Sequence, residues 1–180
     1  MANYIYDSKS PRTGVVQKKK AKIAELKQFE FILLNLESCP IPDSNYALCK
    51  PKLRELCHYL SKHYEMIVIG EQSENKIHQM VRELGIYYSI DRIISTQPTI
   101  TCNPHIFSLH QMKFYEFIMH KILCTDPSRL ALIGGNLDQE IYGANLAGIT
   151  TYYVYEGINQ RTDIYAKYEA DSYQKLYRYF

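Results

Sequence analysis

Residues 130–149 read LALIGGNLDQEIYGANLAGI. Leu130 to Ile133 is an unbroken apolar run, the pattern of a strand buried on both faces. Gly134-Gly135 ends the run, and Asp138 to Ala147 has the spacing of a short helix. Gly148 stands where a left-handed residue closes such a helix. Thr151 to Tyr155 is the next apolar stretch. A strand, a tight turn, a short helix and a second strand make a parallel crossover, because two parallel strands cannot be joined by a hairpin.

The same alternation extends upstream. Phe29 to Leu34 is apolar apart from Glu30 and reads as a first buried strand. Pro51 suits the first turn of a helix, with Leu53, Leu56, Cys57 and Leu60 on one face. Met66 to Ile69 is a second strand. Ile77, Met80, Val81 and Leu84 form another helical stripe, with Gly85 at its C-cap. Arg92 to Ser95 is a short third strand. Asn103-Pro104 has the chemistry of an N-cap followed by a first-turn proline, and Phe107, Phe114, Phe117, Ile118 and Ile122 follow at helical spacing. Downstream, Asp171 or Ser172 caps a last helix with Tyr173, Leu176, Tyr177 and Phe180 on one face. Strands alternating with helices imply a parallel sheet covered on both sides. The expected fold is one doubly wound α/β domain, residues 29–180, with about five strands.

Residues 1–28 differ in kind. They carry Lys18, Lys19, Lys20, Lys22 and Lys27 with little apolar periodicity, and read as a basic arm. No apolar segment suits a secretory signal, and one arginine beside an early Asp7 matches a mitochondrial transit peptide poorly. No run approaches the ~20 apolar residues that cross a bilayer. A net charge of +2 over 180 residues gives no global field for nucleic acid or lipid. Cysteines at 39, 49, 57, 102 and 124 lack any CxxC pairing and point to an intracellular, reducing compartment. Neither Cys57-His58 nor the C-x-x-H of Cys102 and His105 supplies the roughly four ligands that zinc requires. No Walker lysine, nucleophile elbow or HExxH helix occurs. The Tyr87-Tyr88 and Tyr152-Tyr153 pairs read as packed strand aromatics.

In a doubly wound sheet, ligands sit beyond the carboxyl ends of the strands. The residues there resemble those of the haloacid dehalogenase (HAD) superfamily of phosphotransferases and phosphatases. Residues 131–136 with 140–149 are similar to that family's fourth motif, and Thr101-Cys102-Asn103-Pro104-His105-Ile106-Phe107 resembles its third. Ile90 to Ser95 resembles the segment before it. The resemblance covers residues 29–180 and implies a magnesium-dependent site whose first motif has an aspartate nucleophile and an acidic proton carrier. Asn35 stands at the nucleophile position and Glu37 at the acid/base position, while Cys39 replaces a threonine. Gly70 stands where a hydroxyl should hold phosphate, Thr101 where a lysine should, and Gly135 where an aspartate should hold the metal. Glu140 keeps the second acidic position. A carboxamide offers no anionic oxygen to attack phosphorus, so the resemblance leads to an expectation of a pseudoenzyme with no catalytic residue, bound metal or cofactor. Lys113 and Lys121 read as solvated helix positions rather than substitutes for the missing lysine.

Few residues separate the first motif from the next helix, so the chain resembles the capless type. The expected function is a structural or accessory subunit of a larger protein complex, with the mitochondrial matrix side as one setting. Its contacts with other protein subunits are expected through arm 1–28. Nucleic acid is a lesser candidate partner, through Lys18, Lys19, Lys20 and Lys22. Two alternatives stand beside this: a phosphate- or nucleotide-binding module without turnover, and a residual magnesium-dependent phosphatase.

Overall fold

The computed structural model describes residues 29–38, 46–97, 108–155 and 162–180. Arm 1–28 and the Thr101–Phe107 segment therefore lie outside the described residues. Six strands form one sheet: β1 (Phe31–Asn35), β2 (Glu65–Gly70), β3 (Arg92–Ser95), β4 (Leu130–Gly134), β5 (Thr150–Val154) and β6 (Tyr168–Ala170). Their order is β3-β2-β1-β4-β5-β6, and each neighbouring pair is parallel. The helices are α1 (Tyr46–Leu60), α2 (Glu74–Leu84), α3 (Met112–Lys121), α4 (Tyr142–Leu146) and α5 (Tyr173–Leu176).

The sheet works as two half-buried surfaces back to back. Successive β1 residues point to opposite faces, because the strand period is two. Ile32 and Leu34 pack with Leu53, Leu56 and Leu60 of α1, Ile77 and Val81 of α2, and Leu176 of α5. Phe31 and Leu33 pack with Phe114 and Ile118 of α3 and with Ala144 of α4. The apolar runs of β1 and β4 are buried at every position for this reason. The order reverses between β1 and β4: the chain winds outward to β3 on one side, then returns to lay β4 against the other side of β1. That reversal opens the crevice to which the ends of β1 and β4 deliver Asn35 and Gly135.

Two expectations are corrected. The sheet has six strands rather than five: β6 pairs with β5 through Tyr168, Glu169 and Ala170. A three-residue edge strand with a charged centre has no period long enough to read from sequence. Helix α1 begins at Tyr46, so Pro51 lies inside it rather than in its first turn. Leu53, Leu56, Cys57 and Leu60 are all buried, and their burial outweighs the one backbone bond that a proline forgoes. Gly85 does close α2 in the left-handed region, at φ 70°, donating to the carbonyls of Arg82 and Val81. Helix α4 lies against the chain that leads into α3. A Cβ on Gly143 would stand 2.9 Å from the carbonyl carbon of His110 and closer still to the Leu109 oxygen, so the small residue allows that approach. The tyrosine pairs part company: Tyr152 and Tyr153 are buried in β5, whereas Tyr88 is 99 % exposed on a single 3-10 turn.

Candidate functional site

Asn35 and Glu140 meet at the switch point, and both are fully buried. Asn35 ends β1. Its Oδ1 accepts the backbone N–H of Glu37 at 2.9 Å, and its Nδ2 donates to Glu140 Oε2 at 2.5 Å. Glu140 arrives from the other side, on a wide turn over Leu137–Ile141 that follows β4. Asn136 starts that turn, accepting the Gln139 N–H on its side-chain oxygen. The turn aims Glu140 back at the end of its own strand, where the N–H groups of Gly135 and Asn136 donate to Oε1. Ser38 donates its hydroxyl to the same oxygen. Behind it, Tyr115 donates its hydroxyl to the Glu140 carbonyl oxygen at 2.8 Å.

Among the described residues, four donors thus hold the Glu140 carboxylate. Burial pushes its carboxyl up to about 7, against the pull of Ser38, Asn136, Asn35 and Gly135 in the other direction. The Tyr115 phenol is also raised, first by burial and then by the Glu140 charge.

Glu37 turns the opposite way. Its carboxylate spans the gap to the loop after β2, where Oε2 accepts the Glu71 N–H at 3.1 Å and Oε1 the Gln72 N–H at 2.8 Å. Gly70 ends β2 directly beneath it: a Cβ there would lie 2.9 Å from the Glu37 Cδ and nearer to Oε1. Glu71 reaches onward in turn, accepting the Ser108 hydroxyl at 2.6 Å and the Leu109 N–H at 2.7 Å. Three carboxylates therefore tie together the ends of β1, β2 and β4 and the chain entering α3.

The six positions singled out in the sequence divide accordingly. Asn35, Gly135 and Glu140 come together around the Glu140 carboxylate. Glu37 and Gly70 form a second contact beside them, joined to the first through the Glu37 N–H on Asn35. Thr101 lies outside the described residues. Lys113 and Lys121 are exposed on α3. Ser38, Glu71 and Ser108 are part of the network without having been marked. Ser38 lies between Glu37 and Cys39, but no spacing rule says that it faces a residue 102 positions away.

No family model matches this chain, and no curated protein matches it. Solved structures do. YfnB of Bacillus subtilis, solved bound to magnesium, superposes with a TM-score of 0.64 at 12 % identity, covering 84 % of this chain and 98 % of its own. The haloacid dehalogenase-like family hydrolase SP0104 of Streptococcus pneumoniae gives 0.62 at 15 % identity, with the same two coverages of 84 % and 98 %. The fold is that of the HAD-like hydrolases. A 2-haloacid dehalogenase of Pseudomonas syringae gives a TM-score of 0.55 at 17 % identity, over 72 % of this chain and 51 % of that one. The expectation that the chain is no enzyme is corrected here. Its HAD-like neighbours are hydrolases and dehalogenases, and nothing in its own fold marks it as inactive.

Magnesium, which the HAD resemblance implies, does not fit these residues. The ion takes oxygen ligands in near-octahedral geometry. Asn35 presents an N–H donor toward Glu140, Gly135 has no side chain, and the Glu140 oxygens already accept four donors. Among the described residues, no group of three or more His, Cys, Asp or Glu side chains could hold a metal, and no helix is long and apolar enough to cross a membrane.

Proposed function

We propose that this chain is a HAD-fold accessory subunit of a larger protein assembly, joined to its partner proteins through arm 1–28 and the surface beside β3. The observation that carries the reading is the exposed aromatic pair that precedes β3, the edge strand among the described residues. Tyr88 is 99 % exposed, with Tyr87 in edge-on contact at 5.6 Å between ring centres. The pair borders a hollow of about 320 Å³ that Val81, Ile90, Asp91 and Arg92 also line. It leads directly into β3, the last strand on that side of the sheet. Charge blunts the edge at its first residue, where the exposed Arg92 pairs with Glu65, while bulky, exposed aromatic side chains beside an edge mark contact surfaces. The lysine-rich composition of the arm adds a second, electrostatic element. The test is to follow the tagged full-length chain in native extract of its own cells. It should migrate with partner proteins above the monomer mass, and a form lacking 1–28 and carrying Tyr87→Ser and Tyr88→Ser should not. A full-length chain that migrates as a monomer at its natural abundance refutes the reading.

The pairing of Ser38 with Glu140 favours a second reading, hydrolysis in the same crevice without magnesium. A carboxyl pushed up to about 7 and bonded to a hydroxyl has the arrangement of a general base beside a nucleophile. Turnover of aryl esters or phosphates that survives EDTA and is lost in Glu140→Gln and Ser38→Ala supports it; EDTA-sensitive turnover removes it.

A further inference from the structure

We infer that the crevice carries its own stand-ins for both ligands of a metal-dependent phosphoryl site: the Asn35 amide in place of a cation, and the Glu37 carboxylate in place of an anion. The inference is independent of the assembly reading. It starts from the orientation of Asn35. Its Oδ1 is fixed by the Glu37 N–H and its Nδ2 by Glu140. Turning the amide over to offer oxygen to a cation would set Nδ2 against a backbone donor and Oδ1 against a carboxylate. Both ends of the group therefore enforce one orientation, in which a partial positive charge faces Glu140. The Ser38 hydroxyl and two backbone N–H groups complete the shell that a cation would otherwise provide.

The second stand-in faces the other way. The consecutive N–H groups of Glu71 and Gln72 each hold one oxygen of a single carboxylate, as backbone groups do where they bind an anion. That carboxylate is the chain's own Glu37. Gly70 lacks a side chain at the spot the carboxylate fills, and Gly134 is likewise bare where Glu140 packs, since a Cβ there would lie 3.0 Å from the Glu140 Cγ and nearer to its Cδ. Asn35 and Gly70, two of the departures from the HAD pattern, are thus each matched by a neighbour that fits them. Losses accumulated without compensation would leave unpaired carboxylates at the strand ends, whereas Glu37, Glu71 and Glu140 are all hydrogen-bonded.

The experiment titrates the full-length chain with Mg2+, Mn2+ and inorganic phosphate, reading thermal midpoint and, for Mn2+, the free-ion EPR signal. The wild type should show no saturable midpoint shift and no Mn2+ uptake at millimolar ion. Asn35→Asp, which sets two carboxylates face to face, should melt lower and regain midpoint with either metal, more so when joined to Gly135→Asp. Glu37→Ala should acquire a phosphate-dependent rise that the wild type lacks. Saturable Mn2+ uptake by the wild type, abolished in Glu140→Gln, overturns the cation half, and it does so whether or not Asn35→Asp folds. Saturable phosphate binding by the wild type, or a folded Glu37→Ala indifferent to phosphate, overturns the anion half.

Discussion

Replacing Gly70 with alanine adds one methyl group at a point already taken. Its Cβ would lie 2.9 Å from the Glu37 Cδ, closer to Oε1, and 3.1 Å from the Ile77 Cδ1. Ile77 ends in a methyl that can rotate away, so the conflict is with the carboxylate. Glu37 is only partly buried and can swing into water, at the cost of its bonds to the N–H groups of Glu71 and Gln72. Bonds to a charged acceptor contribute about 1.5–3 kcal/mol each when buried, and the partial exposure of Glu37 reduces the pair to ~2 kcal/mol in all. Gly70→Ala should therefore destabilise by about 2 kcal/mol, a fall in Tm of roughly 4–8 °C for a chain of this size. Glu37→Ala should cost a similar amount, since it removes the same two bonds. The double variant is decisive. Once Glu37 is shortened the alanine methyl has room, so the pair should cost little more than either single change, with a coupling of about 2 kcal/mol. Urea denaturation of the four proteins measures the cycle. Additive penalties, or a Gly70→Ala variant as stable as the wild type, would refute the reasoning.

Gly134→Ala makes the same kind of clash with a side chain that cannot leave, because Glu140 is fully buried and held by four donors. The expected loss is about 3–5 kcal/mol, seen as a urea midpoint well below that of Gly70→Ala; equal midpoints would contradict it. The Glu140 carboxyl has a folded value of about 7 against 4.5 in the open chain. The fold keeps its proton where the unfolded chain has lost it, so this stability is full below the open-chain value and is lost as pH rises through 7. The loss should reach about 3 kcal/mol between roughly pH 4 and pH 8. Glu140→Gln should flatten that slope, and an unchanged slope in the variant would assign it to another group.

Local pattern settled much of the fold. The strands β1, β2 and β4 are apolar at nearly every position because both their faces are covered, and such runs stand out from the polar stretches between them. Arg92–Ser95 was legible as a strand to the residue. The arrival of Asn35, Gly70, Gly135 and Glu140 at the strand ends follows from the same pattern, since residues just past an apolar run must sit where a parallel sheet opens. What the elements do at their margins was less legible: β6 is too short to have a period, and α1 runs through a proline whose cost depends on how much the helix buries.

The amino-acid sequence thus determined the alternation of strands and helices and the residue types at the strand ends. It could not say what those residues touch. Asn35 and Glu140 are 105 positions apart, and Glu37 and Gln72 are 35 apart; they touch only because β1 lies between β2 and β4 in the sheet. Glu37 in isolation is a plausible proton carrier, yet the loop after β2 turns two N–H donors toward it and makes it a brace. Side-chain direction, burial and the partner across the crevice are properties of packed strands, and only the tertiary structure decides them. Local pattern reports a residue's exposure to water along its own element; the chemistry of this site is set by residues brought from other elements.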